Sequence, residues 1–166
     1  MLCFTLLPIY LISVKMESIF VYGTLKKNQP NYYHLCDTKN GCAVFRSVAS
    51  TTKKYPLVIS TKYNIPFLLQ KEGIGYEISG EIYDVDAKMM EFLDDFENHP
   101  DFYNRQKIEV KLPNGDIRSC WIYFLPNYPE RLLELQYFDC YDSNGAHKLQ
   151  YVASENVQSL ESAFQE

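Results

Sequence analysis

The sequence predicts a single β-rich domain of the α+β class, and three observations lead to this prediction. The chain has 166 residues, 46% of them hydrophobic, which is enough to bury one sizeable core. Tyr and Phe are unusually abundant, at 14 and 10, and aromatic residues favour strands. Strand-like runs recur along the chain, whereas only one segment has convincing helical periodicity. With 22% charged residues, the composition is that of a folded protein rather than a disordered one.

The first predicted strand, residues 19–21 (Ile-Phe-Val), runs directly into Tyr22-Gly23-Thr24-Leu25. Its apolar residues are continuous rather than alternating, which favours a strand buried on both faces. A glycine can place its backbone where a side chain would collide, so the amides of Gly23, Thr24 and Leu25 could turn inward as an anion-binding nest. Most strand-Gly-Thr segments are only turns, so at this point both interpretations stay open.

Further strands are expected at six places, with a hairpin turn at Asn114-Gly115 between the last two. A short helix is expected over residues 32–35. The predicted strands are residues 42–50, 55–59, 64–69, 76–85, 107–112 and 118–124.

The one convincing helix covers residues 86–98. Asp86 is a good N-cap, Met89, Leu93 and Phe96 form an apolar stripe at helical spacing, and Pro100 follows the end of the pattern. The stripe predicts that one face of this helix packs on the sheet.

Glu97 falls in the last turn of this helix, on the border of the buried face. A partly apolar setting, the negative end of the helix dipole and the like charges of Asp94 and Asp95 should all raise the pKa of its carboxyl group. Glu97 is therefore a candidate working carboxylate. Asp94 and Asp95 themselves are expected to form a solvated acidic edge.

Charge and cysteine usage exclude several classes of function. The net charge of −5 gives no basic footprint for nucleic acid. The lysine pairs at 26–27 and 53–54 are expected to be solvated surface. Five cysteines without CxxC spacing and three scattered histidines disfavour a metal site or a disulfide framework. We expect reduced cysteines and a cytoplasmic protein.

The two ends of the chain are expected to lie outside the domain, which we place at residues 16–156. Residues 1–15 form an apolar extension that is too short for an ordinary membrane span and lacks a basic leader, although targeting stays possible and Met16 is an alternative start. Residues 157–166 form a polar tail. No membrane contact is expected for the domain itself.

Eight segments, in order along the chain, resemble the gamma-glutamylcyclotransferase superfamily, and within it the gamma-glutamylaminecyclotransferases most. The similarity extends from Ile19 to about Asn156. Its segments are residues 21–26 (VYGTLK), 55–58 (YPLV), 64–69 (NIPFLL), 80–83 (GEIY), 92–97 (FLDDFE), 103–105 (YNR), 141–143 (YDS) and His147.

The resemblance implies a small mixed β-barrel with flanking helices, an enzyme that needs no cofactor, and a small-molecule gamma-glutamyl substrate. It places the substrate-binding loop on Tyr22, Gly23, Thr24 and Leu25 and the catalytic glutamate on Glu97. The implied reaction releases 5-oxoproline when the substrate's own α-amino group attacks its γ-carbonyl.

Two classes of function remain open at this stage. One is an enzyme acting on gamma-glutamyl-epsilon-lysine or on a broader set of gamma-glutamyl amines, and the other is a non-catalytic binding module on the same fold. An awkwardly placed carboxylate at Glu97 favours the enzyme. A monomer is the favoured oligomeric state.

Overall fold

The computed structural model of the protein describes residues 15–153 and Phe164. Its elements are β1 (Glu17–Val21), α1 (Tyr33–Cys36), β2 (Ala43–Tyr55), β3 (Leu57–Ser60), β4 (Ile65–Leu68), β5 (Tyr76–Val85), α2 (Ala87–Phe96), β6 (Asn104–Lys111), β7 (Ile117–Phe124) and a 3₁₀ helix (Glu130–Glu134).

Five strands close into a barrel in the order β1-β5-β2-β6-β7, and β3 and β4 form a separate two-stranded sheet. The neighbouring barrel strands are antiparallel, except that β7 returns parallel to β1 at Ile19 and Trp121. The predicted small mixed barrel of the α+β class is therefore confirmed.

Strand β1 is buried on both faces, as its continuous apolar run predicted. Ile19 and Val21 pack in one core cluster, with the buried side of α2, while Phe20 packs in a second cluster inside the barrel. All three side chains are at most 5% exposed. The end of β1 is consequently a fixed point from which the loop at residues 22–25 leaves.

Helix α2 begins where predicted, since the Asp86 carboxylate accepts a hydrogen bond from the Met89 amide at 2.8 Å. It packs on the outside of the barrel through Met89, Met90 and Leu93. Phe96, which was expected in the buried stripe, is 37% exposed and lies against His34 instead.

Strand β2 is longer than predicted. It continues past Ser50 to Tyr55, which was expected to begin the next strand. Irregularities in its pairing with β5 lie between Phe45 and Ser47 and between Ser50 and Lys54. Such bulges bend and twist a strand, which lets one strand pair with both β5 and β6 around a narrow barrel.

The predicted extension at residues 1–15 lies outside the described residues, apart from Lys15. In the predicted tail, Phe164 is described, and its ring packs 5.2 Å from that of Phe67. No helix in the described part of the chain is long and apolar enough to cross a membrane.

Candidate active site

One cavity of about 470 Å³ lies where the end of β1, the end of α2 and the start of β4 meet. It brings together all five residues that the sequence analysis selected. Its lining includes Tyr22, Gly23, Thr24, Leu25, Asn31, Ile65, Pro66, Asp95, Glu97, Asn98, Tyr103, Tyr123 and Tyr151.

The loop after β1 lines this cavity and has backbone donors without partners. Its turn is closed by the Lys26 amide, which donates to the Gly23 carbonyl at 3.2 Å. The amides of Gly23, Thr24 and Leu25 donate to no acceptor among the described residues. Three neighbouring N–H groups without partners form a site suited to an anionic oxygen.

A side chain at Gly23 would be crowded, because Pro66 of β4 lies close to it. A Cβ atom there would lie 3.1 Å from Cγ of Pro66, which is tighter than ordinary van der Waals contact. The Thr24 hydroxyl already has one hydrogen-bond partner, because it accepts a hydrogen bond from the Asn31 side chain at 3.0 Å. The loop is thus held between Pro66 and Asn31.

Lys26 holds the same loop through buried contacts. This corrects the expectation that Lys26 lies on the solvated surface. The residue is 8% exposed, and its Nζ donates to the Tyr141 carbonyl at 2.7 Å and contacts Cys140 Sγ at 3.3 Å. A buried ammonium needs such partners. The late segment at 141–143 therefore supports the loop rather than lining the cavity.

The conformation at the end of α2 places Glu97 at the cavity. Asn98 has φ of 51°, its amide donates to the Asp95 carbonyl, and the His99 amide donates to the Asp94 carbonyl, which together form a Schellman motif. Glu97 is the C-cap, with φ −87° and ψ 0°. The chain reverses directly after it, which leaves its side chain on the cavity wall.

Burial raises the pKa of the Glu97 carboxyl from 4.5 to about 8. The residue keeps a half-buried surface toward the cavity, yet its side chain has no hydrogen-bond or ion-pair partner among the described residues. The sequence analysis also invoked the helix dipole and the neighbouring aspartates, but desolvation is the cause that the structure supports. A carboxyl group with this pKa can exchange protons near neutral pH.

Asp94 does not belong to a solvated acidic edge, contrary to expectation. Its carboxylate accepts a hydrogen bond from the Tyr123 hydroxyl at 2.6 Å and pairs with Arg105 at 3.2 Å. Its charge is therefore compensated by these two partners. Asp95, in contrast, is exposed and lies at the cavity rim.

The raised pKa of Glu97 predicts a pH-dependent effect on stability. The unfolded chain ionises this group near its usual 4.5, whereas the folded protein keeps it neutral up to about 8. Folding therefore loses free energy progressively as pH rises between these values. We expect Glu97→Gln, which stays neutral, to raise the melting temperature relative to the wild type at about pH 9 and to leave it unchanged at about pH 4. Melting curves at both values test this, and an equal shift at the two would contradict it.

The chain matches a known protein family over most of its length. The family model described as "Gamma-glutamyl cyclotransferase, AIG2-like" matches residues 19–143, which include the barrel except the first two residues of β1, the loop after β1 and Glu97. The chain belongs to this family.

Individual relatives of this AIG2-like chain match it over most of their length. Gamma-glutamylaminecyclotransferase C of Danio rerio is 46% identical over 143 residues, which cover 83% of this chain and 94% of that protein. Gamma-glutamylaminecyclotransferase of Homo sapiens is 41% identical over 152 residues, or 85% and 99% of the two chains. The crystal structure of an AIG2-like protein from Mus musculus superposes with a TM-score of 0.82 at 44% identity, covering 85% and 98%.

Several lining residues of this AIG2-like cavity were not selected from the sequence. Tyr103 lies in a segment that carried the family resemblance, but nothing in an aromatic-rich sequence distinguishes it from the other tyrosines. Tyr123 and Tyr151 gave no signal, because they reach the cavity from distant parts of the chain.

Metal and disulfide chemistry find no support in the described residues. Among them, no group of three or more His, Cys, Asp or Glu side chains is arranged to hold a metal ion. Cys36, Cys42, Cys120 and Cys140 are free thiols.

Proposed function

We propose that the protein releases 5-oxoproline and a free amine from gamma-glutamyl amines, by attack of the substrate's α-amino group on its own γ-carbonyl. The observation that carries this proposal is that a desolvated carboxyl group, Glu97, shares one cavity with the unpartnered amides of Gly23, Thr24 and Leu25. Relatives named gamma-glutamylaminecyclotransferase support it.

The substrate carries its own nucleophile, so the site needs only to fold the substrate and move protons. The substrate's α-ammonium adjoins its own carboxylate, so its pKa lies above the ~7.7–8.0 of a peptide N-terminus. A base with a pKa of about 8 comes closer to that value than an ordinary carboxylate at 4.5. The raised pKa of Glu97 therefore lowers the free-energy cost of taking a proton from the α-ammonium, and it still allows Glu97 to release that proton to the leaving amine.

Glu97 would act in both directions during the reaction. Its carboxylate takes one proton from the α-ammonium, the freed lone pair forms the new C–N bond, and the carbonyl π electrons move to oxygen. When the C=O bond reforms, the old C–N pair leaves on the departing nitrogen, which receives the proton held by Glu97. The ring nitrogen then gives its second proton to Glu97, which passes it to the released amine. Both protons from the α-ammonium therefore end on that amine.

The free amides of the loop after β1 would bind an anionic oxygen of the substrate. The α-carboxylate and the oxyanion of the tetrahedral intermediate are the two such groups. Either use requires the loop backbone to keep its position, and a side chain added at Gly23 would press on Pro66 and disturb it.

The charges around the cavity disfavour a leaving group that carries a carboxylate close to the scissile amide. Among the described lining residues there is no Lys, Arg or His, whereas Asp95 and Glu97 are acidic. Gamma-glutamyl-epsilon-lysine carries its second ammonium and its distal carboxylate several bonds from the scissile amide. Gamma-glutamyl-alanine and glutathione instead place a carboxylate or a bulky acidic peptide near it, where no side-chain cation compensates the charge.

Incubation with gamma-glutamyl-epsilon-lysine, gamma-glutamyl-alanine and glutathione, followed by quantification of 5-oxoproline, tests the proposed function. We expect the lysine compound to be turned over most efficiently. Absence of 5-oxoproline from all three, with 5-oxoproline itself still binding, would contradict the enzyme and favour the binding module.

Asp95 allows a specific test of the charge argument. We expect Asp95→Asn to raise KM for gamma-glutamyl-epsilon-lysine about two- to fivefold, since an exposed ion pair contributes roughly 0.2–1 kcal/mol. Turnover of a neutral gamma-glutamyl alkylamide should not change. Steady-state kinetics with both substrates measure this. An equal effect on the two would show that Asp95 does not bind the ammonium group of the substrate.

A further inference from the structure

Four tyrosine side chains line the cavity, and two of their hydroxyl protons are already used within the protein. The Tyr22 hydroxyl donates to the Tyr123 carbonyl at 3.0 Å, and the Tyr123 hydroxyl donates to Asp94 at 2.6 Å. The Tyr151 hydroxyl, on a half-buried residue after the barrel, accepts from Asn31 at 3.4 Å. Tyr103 is the one of the four whose hydroxyl makes no hydrogen bond to a described residue.

The Tyr103 hydroxyl has no hydrogen-bond partner among the described residues, although the residue is only 5% exposed. Among the described residues, the fully enclosed side-chain polar atom without a partner is the Tyr141 hydroxyl. The Tyr103 hydroxyl is therefore not fully enclosed. The side chain lines the cavity. A buried polar group is normally paired, so an unpaired donor facing a cavity indicates a ligand.

Packing fixes the direction of this hydroxyl. The Tyr103 ring stacks on Phe67 with centroids 6.3 Å apart and meets the edge of Phe102 at 4.9 Å. Burial, together with the nearby hydroxyl of Tyr22 and the charge of Glu97, raises the pKa of Tyr103 well above its usual value. The group is therefore a permanent proton donor in a hydrogen bond, held close to the proposed general base.

We propose that Tyr103 is a catalytic residue whose hydroxyl donates a hydrogen bond to the γ-carbonyl oxygen of the substrate as that oxygen becomes an oxyanion. This inference rests on the proposed function. The oxygen gains charge when the α-amino lone pair forms the new C–N bond, and it loses the charge when the old C–N bond breaks. Tyr103 keeps its proton throughout, because Glu97 carries the protons that move.

This assignment divides the anionic oxygens of the substrate between two sets of donors. Tyr103 would stabilise the oxyanion, which exists only during the reaction, and the amides of Gly23, Thr24 and Leu25 would hold the α-carboxylate, which is present throughout. A donor that acts only on the oxyanion changes kcat, whereas one that acts on the carboxylate changes KM.

The test is Tyr103→Phe, which keeps the ring contacts and removes only the hydroxyl. We expect kcat for gamma-glutamyl-epsilon-lysine to fall by roughly 10- to 10²-fold, at or below the usual effect of removing an oxyanion donor. KM and the Kd of 5-oxoproline should stay within about twofold of the wild type. The melting temperature should be preserved, which separates loss of the donor from loss of the fold. Tyr55→Phe, at a buried tyrosine of β2 that does not line the cavity, is the matched control.

Two results would overturn the assignment. Unchanged kinetics in Tyr103→Phe would show that the hydroxyl contacts no reacting atom, and a raised KM and Kd at unchanged kcat would show that it binds the carboxylate. If the wild type itself makes no 5-oxoproline, the proposed function has failed instead. That outcome is distinguished by the wild-type measurement alone.

Discussion

Replacing Glu97 with Gln is expected to lower the turnover of gamma-glutamyl-epsilon-lysine by at least ~10²-fold while the protein still folds. The substitution keeps the volume of the side chain but removes its ability to accept a proton. Since no described residue binds the Glu97 side chain, no structural hydrogen bond or ion pair is lost with the charge. Binding of 5-oxoproline should persist, because the loop amides are untouched.

Glu91→Gln is the matched control for this experiment. Glu91 lies on the same helix, is exposed and does not line the cavity, so the same chemical change should leave kcat and KM as they are. Most of the activity surviving in Glu97→Gln would remove Glu97 from the mechanism. A comparable loss in Glu91→Gln would show that the effect comes from the helix rather than from the site.

Gly23→Val is expected to reduce kcat/KM by about tenfold or more in a protein that still folds. The added Cβ would lie 3.1 Å from Pro66 Cγ, so either the loop or Pro66 must move, and overpacking of this kind costs about 1–3 kcal/mol. Both groups line the cavity, and a small displacement of the amides weakens every hydrogen bond they make to the substrate.

Gly23→Ala provides a graded comparison, because it adds the Cβ without the branched methyl groups. We expect it to lie between the wild type and Gly23→Val both in kcat/KM and in melting temperature. If Gly23→Val binds and turns over substrate normally, the amides after β1 do not hold the substrate.

The sequence predicted elements whose signals are local. The Asp86 N-cap was identified correctly, and β5 was predicted with the bounds it has, because alternation and capping are properties of neighbouring residues. The hairpin at Asn114-Gly115 was predicted for the same reason, and the Gly115 amide donates to the Leu112 carbonyl at 2.9 Å.

The errors concern residues whose partners are far away along the chain. Lys26 is buried because the Tyr141 carbonyl, 115 positions later, accepts its proton. Asp94 is paired because Tyr123, 29 positions later, reaches it across the fold. No periodicity or spacing records such contacts, so a charged residue in a polar stretch was interpreted as solvated.

The candidate site was predictable only in part for a similar reason. Glu97 and the loop at residues 22–25 belong to short motifs that can be recognised in sequence. The tyrosines that complete the cavity come from separate segments, and only the closing of the barrel brings them together. The free hydroxyl of Tyr103 is a property of that assembly.

The most direct test of the central claim is the reaction of gamma-glutamyl-epsilon-lysine in water enriched in ¹⁸O, with the products identified by mass spectrometry. Intramolecular attack by the α-amino group predicts 5-oxoproline and lysine in equal amounts, with no ¹⁸O in the 5-oxoproline, since water does not enter the reaction. Glutamate carrying one ¹⁸O atom would show hydrolysis by water and would contradict the cyclisation that the cavity geometry supports.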